Sequence, residues 1–247
     1  MKKNLFNLFV LLCLSLTMAS CISDDDNNTQ YLRSHFVIEG VYPNYTLYSR
    51  EDITVYLDPT SVASMTNKKG FGDNKRGYFD ISFKSDDVSY VPVPGTERQT
   101  AVIKNAQLIA GSYVNVSSVW TYDQAEKDNI TVEDSVFNVQ KISDFWMQRG
   151  YLNIAIDANY SVDATNTGIF PTTNVAYKRE SVRDNEITLT VLYNRHSRKD
   201  ATTSPSVGRF ITAYYFPEIA YIVPGNDSIR VKIEAMGTTP VEMKIGR

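Results

Sequence analysis

The sequence predicts an all-β protein with two domains. Tyrosine and phenylalanine are abundant, with 16 and 11 copies, and both are favoured in strands. Apolar and polar residues alternate along many short segments, which is the pattern of antiparallel strands with one buried and one solvated face. No long stretch of the chain has the 3.6-residue period of an amphipathic helix.

The amino-terminal half contains alternating strand segments. In Ile53–Leu57 the odd positions are apolar. A later segment places three apolar residues on one predicted face, namely Phe79, Ile81 and Phe83. A longer stretch from Ala101 to Trp120 is interrupted at Gly111, and it predicts two strands or one bent pair.

The carboxy-terminal half shows the same alternation more regularly. Four segments have apolar residues at every second position: Leu152–Ile156, Ile187–Tyr193, Ile229–Ile233 and Val241–Ile245. Turn-forming residues separate them at 148–150, 183–185 and 224–227. We therefore expect antiparallel sheets with one buried and one solvated face in this half.

A polar stretch from Tyr122 to Ser135 lies between the two halves, and its residues 123–128 favour a short helix. The predicted domains are residues 31–118 and 136–247, joined by a linker over residues 119–135.

The first twenty residues have the features of a secretory signal. Lys2 and Lys3 precede an apolar run, Leu5–Met18, that is shorter than the ~20 residues of a membrane-spanning helix. The small residues Ala19 and Ser20 stand directly before Cys21 and resemble a lipobox. We expect Cys21 to be the first mature residue and to carry acyl chains that anchor the protein to a membrane. The alternative is an ordinary cleaved signal that contains a cysteine.

An acidic tether is predicted over residues 21–30. Its residues Ser23, Asp24, Asp25 and Asp26 resemble the export signal that sends lipoproteins of Bacteroidetes to the cell surface. The alternative is a soluble, disordered spacer, and the two interpretations are compatible. The predicted location is the outer membrane, with the domains on the cell surface.

Charge and cysteine content exclude several classes of function. Without residues 1–20 the chain loses two lysines and keeps 23 basic against 28 acidic residues, a net charge of −5. This balance does not favour a nucleic-acid partner. Cys13 leaves with the signal and Cys21 carries lipid, so no disulfide is expected and the fold depends on its hydrophobic core.

One segment resembles a known family. Ile142, Asp144 and Trp146, followed by Gly150–Ile154, match an Ile-x-Asp-x-Trp element and a Gly-Tyr-Leu-Asn-Ile strand. These elements open the carboxy-terminal domain of NigD-like lipoproteins of Bacteroidetes. The resemblance implies an OB-like amino-terminal domain, a carboxy-terminal β-sandwich, and a non-enzymatic bacteriocin-immunity or accessory role.

The matching element also has a plain structural interpretation. Trp146 is a large aromatic side chain next to a turn, and we expect it to fill the sandwich core. Asp144 would lie on the same face in an extended strand and could accept backbone N–H bonds there. This structural role is favoured over ligand binding.

The sequence contains no recognisable catalytic constellation. His35 and His196 are far apart in the chain, and no cysteine remains as a nucleophile. No nucleophile elbow, P-loop or dinucleotide motif is present. The paired acids at 86–87 and 133–134 lie in polar segments, where solvated loop carboxylates explain them best. We expect no catalytic residue, metal or cofactor.

Two basic loops stand out from the acidic background. One is Lys68–Arg76, and the other contains Arg195, His196, Arg198 and Lys199, with Arg209 nearby in sequence. They could bind an anionic ligand such as lipopolysaccharide phosphate. The alternative, which we favour, is that both are hairpin loops whose charges keep the protein soluble.

Two further features concern glycans. Tyr214-Tyr215-Phe216 could stack on sugars, but the alternation places Tyr214 and Phe216 together on a core face, with the Tyr214 hydroxyl reaching outward. Ser135 and Ser228 each follow an aspartate and precede an apolar residue, which resembles the O-glycosylation motif of Bacteroidetes.

Two functions are therefore carried forward. The first is a non-enzymatic envelope lipoprotein of the NigD-like type that binds an unknown protein. The second is a surface lipoprotein that binds glycans. A hydrolase is the least favoured, because no catalytic set is recognisable.

Overall fold

The structure is a computed structural model, and it describes residues 28–64, 75–128, 139–160, 171–194, 206–225 and 228–246. Within these ranges the chain forms fourteen strands and a few short helices. It divides into two compact units, the first ending at Tyr113 and the second beginning at Val114. The predicted all-β class with two domains is confirmed.

The described part of the first unit contains six strands, one short α-helix and a 3-10 turn at Ser85–Asp87. The bounds are β1 Thr29–Val41, β2 Asn44–Ser49, β3 Thr54–Leu57, α1 Pro59–Ser64, β4 Arg76–Lys84, β5 Val88–Pro92 and β6 Gln99–Tyr113.

These strands form a closed barrel. They pair in the order β3-β2-β1-β4-β6-β5, and a parallel pairing between β3 and β6 closes five of them into a ring. The helix α1 lies between the third and fourth strands of the chain, and β5 is added to β6 outside the ring. This five-stranded arrangement is OB-like, as expected.

The barrel core is centred on Phe79, which is 2% exposed. Its ring stacks on Phe36 at 6.2 Å between centroids and meets Tyr113 edge-on at 6.0 Å. Gly77 and Gly111 lie against this ring, because a Cβ on either would come within 2.2 Å of a Phe79 ring atom. The two glycines therefore allow β4 and β6 to pass close to Phe79. The buried apolar side chains are Phe36, Ile38, Tyr45, Leu47, Val55, Leu57, Val62, Phe79, Ile81, Phe83, Ile103 and Ala106.

The second unit contains eight strands among its described residues. The bounds are β7 Asn115–Thr121, α2 Tyr122–Lys127, β8 Val139–Gln148, β9 Tyr151–Tyr160, β10 Thr172–Tyr177, β11 Glu186–Asn194, β12 Ser206–Tyr215, α3 Ile219–Ile222, β13 Ile229–Ala235 and β14 Val241–Ile245, with a 3-10 turn at Arg179–Ser181.

The eight strands form one sheet in the order β14-β13-β11-β10-β7-β12-β9-β8. β8 at one end approaches β13 and β14 at the other, so the sheet folds over a single core. The pairing is mixed rather than purely antiparallel as expected, because β7 runs parallel to β10 and β12, and β11 runs parallel to β13. Local alternation reports which face is buried, but it does not report strand direction.

The boundary between the units differs from the sequence prediction. Residues 115–118 were assigned to the first domain and residues 119–121 to the linker, yet all of them belong to β7 of the second unit. The predicted helix at 123–128 is α2, which begins with a capping box formed by Thr121 and Gln124. β7 was missed as a strand of this unit because its sequence is polar and both its partners are remote in sequence.

The core of the second unit is larger than that of the first. Its buried side chains include the predicted alternating positions of β9, β11 and β13, and they are Val139, Ile142, Leu152, Ile154, Ile156, Ala158, Val175, Ile187, Leu189, Val191, Tyr193, Tyr214, Phe216, Ile219, Val223, Ile229, Val231, Ile233 and Ala235. The Tyr214 hydroxyl donates to the Thr173 carbonyl at 3.0 Å and the Tyr193 hydroxyl to the Asn159 carbonyl at 2.9 Å. Tyr214 and Phe216 are core residues as predicted, although the Tyr214 hydroxyl bonds inside the core instead of reaching solvent.

Candidate functional sites

Most of the residues predicted for anchoring, export, glycosylation and anion binding lie outside the described residues. These are Cys21, Ser23, Asp24, Asp25, Asp26, Ser135, Arg195, His196, Arg198 and Lys199. Their proposed roles remain predictions. The described residues that bear on function are the Asp144–Trp146 element, two exposed ion pairs and Ser228.

The Asp144–Trp146 element lies in β8. Its Trp146 side chain lies on the face of the strand opposite to the main core. Bulges shift the register of β8, so Phe145 and Met147 face the core. Trp146 is 7% exposed, but it pairs with Asn153 of β9 on the opposite face. Trp146 is therefore buried as predicted, but it lies outside the main core cluster of this unit. Asp144 shares the face of Trp146 as expected, and its Oδ1 accepts the Phe145 backbone N–H at 2.8 Å.

Asn153 is a structural residue that alternation alone did not identify. The pattern of β9 places it on the polar face, yet it is fully buried. Its side-chain amide donates to the carbonyls of Trp146 and Tyr151, both at 3.2 Å. The Asn of the Gly-Tyr-Leu-Asn-Ile strand therefore fixes the β8–β9 hairpin. This hairpin turns at Arg149-Gly150, where both residues have positive φ, as a two-residue turn requires.

The outer face of the second unit carries an ion cluster centred on Asp157. Arg209 of β12 contacts this carboxylate at 2.9 Å, and Lys141 of β8 contacts it at 3.2 Å. The hydrogen bond from Arg209, helped by Lys141 and Ser143, holds the pKa of Asp157 below its usual range. The sequence placed Arg209 near the second basic loop. In the structure its guanidinium instead pairs with Asp157, in a cluster that spans three strands.

The outer face of the first unit carries a second pair, Arg33 with Asp80. The two residues are directly opposite in the β1–β4 register, and the guanidinium binds both carboxylate oxygens. The hydrogen bond from Arg33 lowers the pKa of Asp80. Tyr31 and Tyr78 lie on either side of this pair on the same face. We call the set of Tyr31, Arg33, Tyr78 and Asp80 the tyrosine face.

The tyrosine face is open. Tyr31 is 56% exposed and Tyr78 is 38% exposed. The β6 residues opposite Asp80 and Tyr78 are the small Ala110 and Ser112, both exposed. Sequence reasoning missed the face because Arg33 and Asp80 are 47 residues apart and only the strand register brings them together. Strand alternation in the sequence predicts only that Tyr31 shares a face with Arg33 and that Tyr78 shares a face with Asp80.

Ser228 is exposed and stands directly before β13, whose first residue, Ile229, is fully buried. It lines a shallow depression of about 270 Å³ together with five polar residues, which are Asp184, Asn185, Glu186, Arg230 and Lys244. Arg230 and Glu186 form an ion pair at 3.6 Å across this depression. Because two of the charges pair with each other and Ser228 is exposed, the depression has the character of a solvated surface.

Three further observations concern metal ligands, acidic residues and helices among the described residues. No three His, Cys, Asp or Glu side chains in these ranges are grouped closely enough to hold a metal ion. Of the acids predicted to be solvated in loops, Asp86 and Asp87 lie in a 3-10 turn, and Asp87 accepts the Asn105 amide at 2.9 Å. None of the helices in the described part of the chain has the length and hydropathy of a membrane span.

The fold is similar to solved structures from Bacteroidales. A structure described as a putative lipoprotein from Bacteroides fragilis is 10% identical, with a TM-score of 0.54, and the match covers 88% of this chain and 98% of that one. A structure described as a putative toxin related protein from Parabacteroides distasonis is 13% identical, with a TM-score of 0.54 and coverage of 88% and 94%. A NigD-like immunity protein from Bacteroides caccae is 12% identical, with a TM-score of 0.45 and coverage of 90% and 94%. No protein-family model and no curated protein sequence matches the chain.

Proposed function

We propose that the protein is a non-enzymatic lipoprotein of the NigD-like type, anchored in the outer membrane by Cys21 and acting by binding. The observation that carries the proposal is the run from Leu16 to Cys21 after a short apolar signal. The shared fold with the Bacteroides fragilis structure, over nearly all of that chain, supports it. The Ile142–Ile154 element, whose polar residues fix a hairpin, supports the NigD-like assignment without requiring catalysis.

The anchor is tested by metabolic labelling with a palmitate analogue. The unaltered protein should take up label and sediment with membranes, because acyl chains hold it there. Cys21→Ala should abolish both, whereas Cys13→Ala is the matched control and should keep both, since Cys13 is removed with the signal. A Cys21→Ala product that still takes up label contradicts the anchor.

Surface exposure is tested separately. Replacing Asp24, Asp25 and Asp26 by Asn keeps the size and polarity of the tether and removes its charge. The altered protein should become protected when intact cells are treated with protease, while the unaltered protein is digested. If both are protected, the domains face the periplasm and the export role of the acidic run is wrong.

The finer role we propose is bacteriocin immunity or an accessory binding role in the same system. It rests on the residue-level resemblance at 142–154, and one fold relative is described as toxin related. Deleting the gene should sensitise cells to a toxin encoded beside it, and expression of the unaltered protein should restore protection. Unchanged sensitivity to every toxin encoded beside the gene counts against immunity.

The second candidate function is glycan binding at the cell surface. The tyrosine face favours it, because two exposed rings flank a paired acid and base on one open sheet surface. Calorimetric titration of the protein with neutral and anionic oligosaccharides tests this function, and no heat of binding with any of them contradicts it.

A further inference from the structure

We propose that the tyrosine face is a binding site for a neutral oligosaccharide, with pyranose rings packed on Tyr31 and Tyr78 and hydroxyl groups bonded to the Arg33–Asp80 pair. The proposal rests on the second proposed function and assigns it a place in the fold. The site lies on the outer surface of β1 and β4, on the barrel of the first unit.

The spacing of the two rings suits an extended ligand. Tyr31 is opposite Ser82, and Tyr78 is four residues from Ser82 along β4. At a rise of about 3.4 Å per residue, the two tyrosines are separated by about 14 Å along the strands. Arg33 and Asp80 lie between them in the middle row of the register. A ligand that spans both rings therefore passes over the ion pair.

The ion pair supplies hydrogen bonds without net charge. Each carboxylate oxygen of Asp80 accepts one bond from Arg33, and each has a further lone pair that can accept a sugar hydroxyl. The lowered pKa of Asp80 keeps the carboxylate ionised, and so an acceptor, at neutral pH. Because the two opposite charges are adjacent, the site offers no excess charge to an anionic ligand. The chemistry favours uncharged hydroxyl groups.

The rings supply apolar contact at a low entropic cost. A tyrosine has two side-chain torsions and presents a large, rigid surface. Tyr78 is further held by His35, whose ring centroid is 4.7 Å from its own. Across the face, Ala110 and Ser112 leave room beside Asp80 and Tyr78, so a ligand can lie flat instead of entering end-on.

The comparable pair of the second unit shows that such tyrosines are not needed to hold an ion pair. Arg209 and Asp157 are also opposite each other on neighbouring strands, and the residue that completes the cluster is Lys141. That cluster pairs its acid with two cations, and within the described ranges no exposed tyrosine flanks it. It is therefore the matched control for the tyrosine face.

The test titrates the full-length protein in detergent with maltohexaose, cellohexaose, mannohexaose and the anionic hexagalacturonate by calorimetry. We expect binding of at least one neutral probe. Tyr31→Ala and Tyr78→Ala should each weaken it by about five- to tenfold, and Asp80→Asn by about threefold or more. Tyr90→Ala, an equally exposed tyrosine on β5, and Asp157→Asn should change it by less than about twofold.

The outcomes separate this site from the proposed function. Neutral binding that survives all three face variants overturns the site and leaves glycan binding standing elsewhere on the protein. Binding of hexagalacturonate alone overturns the site for a neutral ligand and leaves glycan binding standing, whereas binding of no probe overturns both. Tyr31→Phe and Tyr78→Phe keep the ring, so they should bind within about threefold of the unaltered protein. If an alanine variant does not fold, Tyr31→Thr and Tyr78→Thr remove the ring with a residue that suits a strand, and they should weaken binding as the alanine variants do.

Discussion

The two units differ in where several of their tyrosines lie relative to the sheet. In the first unit the exposed tyrosines Tyr31, Tyr78 and Tyr90 lie outside the barrel, whose core is built around Phe79. In the second unit Tyr193 and Tyr214 are buried, and their hydroxyls bond to backbone carbonyls. Tyr193 and Tyr214 thus stabilise the second unit, whereas Tyr31, Tyr78 and Tyr90 face solvent. The division is not complete, because Tyr45 is buried in the barrel core and Tyr215 of the second unit is exposed.

The ion pairs show the same contrast. Asp157 is bound by cations from two other strands and so ties β8, β9 and β12 together. Asp80 ties β1 to β4 alone and is flanked by exposed rings. The difference indicates that the pair in the second unit is structural, and that the pair in the first unit is placed where a ligand can reach it.

The largest expected effect is on the core beneath the tyrosine face. Phe79→Ala should lower the free energy of unfolding of the first unit by about 3–5 kcal/mol, because the ring fills the space between Gly77 and Gly111. Both tryptophans, Trp120 and Trp146, lie in the second unit, so hydrogen exchange of the β1 and β4 amides is the appropriate measurement.

The neighbouring residue provides the control for this prediction. Tyr78→Ala removes an exposed ring and should cost less than about 1 kcal/mol. Equal losses in the two variants would show that the face is a packing surface, and the contrast between core and face would fail.

A smaller effect is expected from the buried hydroxyl of the second unit. Tyr214→Phe keeps the ring and removes the donor to the Thr173 carbonyl, which should cost about 1–2 kcal/mol. Urea unfolding followed by tryptophan fluorescence measures it. Tyr215→Phe alters an exposed ring next to it in sequence and should be nearly neutral. A neutral Tyr214→Phe would remove the distinction between buried and exposed tyrosines.

The acid pairs predict a difference in pH dependence. Both carboxylates have a pKa below the ordinary value of 3.8 in the folded protein, so each stabilises the fold above that value and loses this contribution as the pH falls through the lowered pKa. Below about pH 4 the unaltered protein loses stability as these carboxylates are protonated. Asp157→Asn should reduce this loss more than Asp80→Asn does, because Asp157 is bound by two cations and Asp80 by one. Each reduction should be about 1 kcal/mol or less. Unfolding curves at pH 3 and pH 7 measure it, and a larger effect at Asp80 would reverse the comparison.

The sequence predicted the parts of the fold that depend on local period. Val55, Phe79 and Ile81 in the barrel, like Ile187 and Val231 in the second unit, are buried where alternation placed them, because successive residues of a strand point to opposite faces. Trp146 is buried as expected, but bulges in β8 change the phase of the alternation and place it on the face opposite to Phe145 and Met147. A bulge adds one residue to one strand, and no residue type in this segment marks it.

The features that depend on pairing could not be predicted from local pattern. The parallel position of β7 and the meeting of Arg33 with Asp80 both require a register between segments far apart in the chain. The same limit explains why Arg209 was assigned to a basic loop, although Asp157 lies opposite it on the next strand. A site formed by one loop is visible in sequence, whereas a site formed across strands appears only with the register.

The smallest expected effect is at Ser228, and it concerns modification instead of stability. Ser228 is exposed, so Ser228→Ala should change the free energy of unfolding by less than about 0.5 kcal/mol. If the Asp-Ser-Ile segment is glycosylated, the intact mass of protein from its native host should fall by one glycan in this variant and by another in Ser135→Ala. Ser206→Ala, at an exposed serine outside any such segment, should leave the glycan mass unchanged. An unmodified mass in the unaltered protein would reject modification at both serines, and Ser228 would then be a solvated residue beside the Arg230–Glu186 pair.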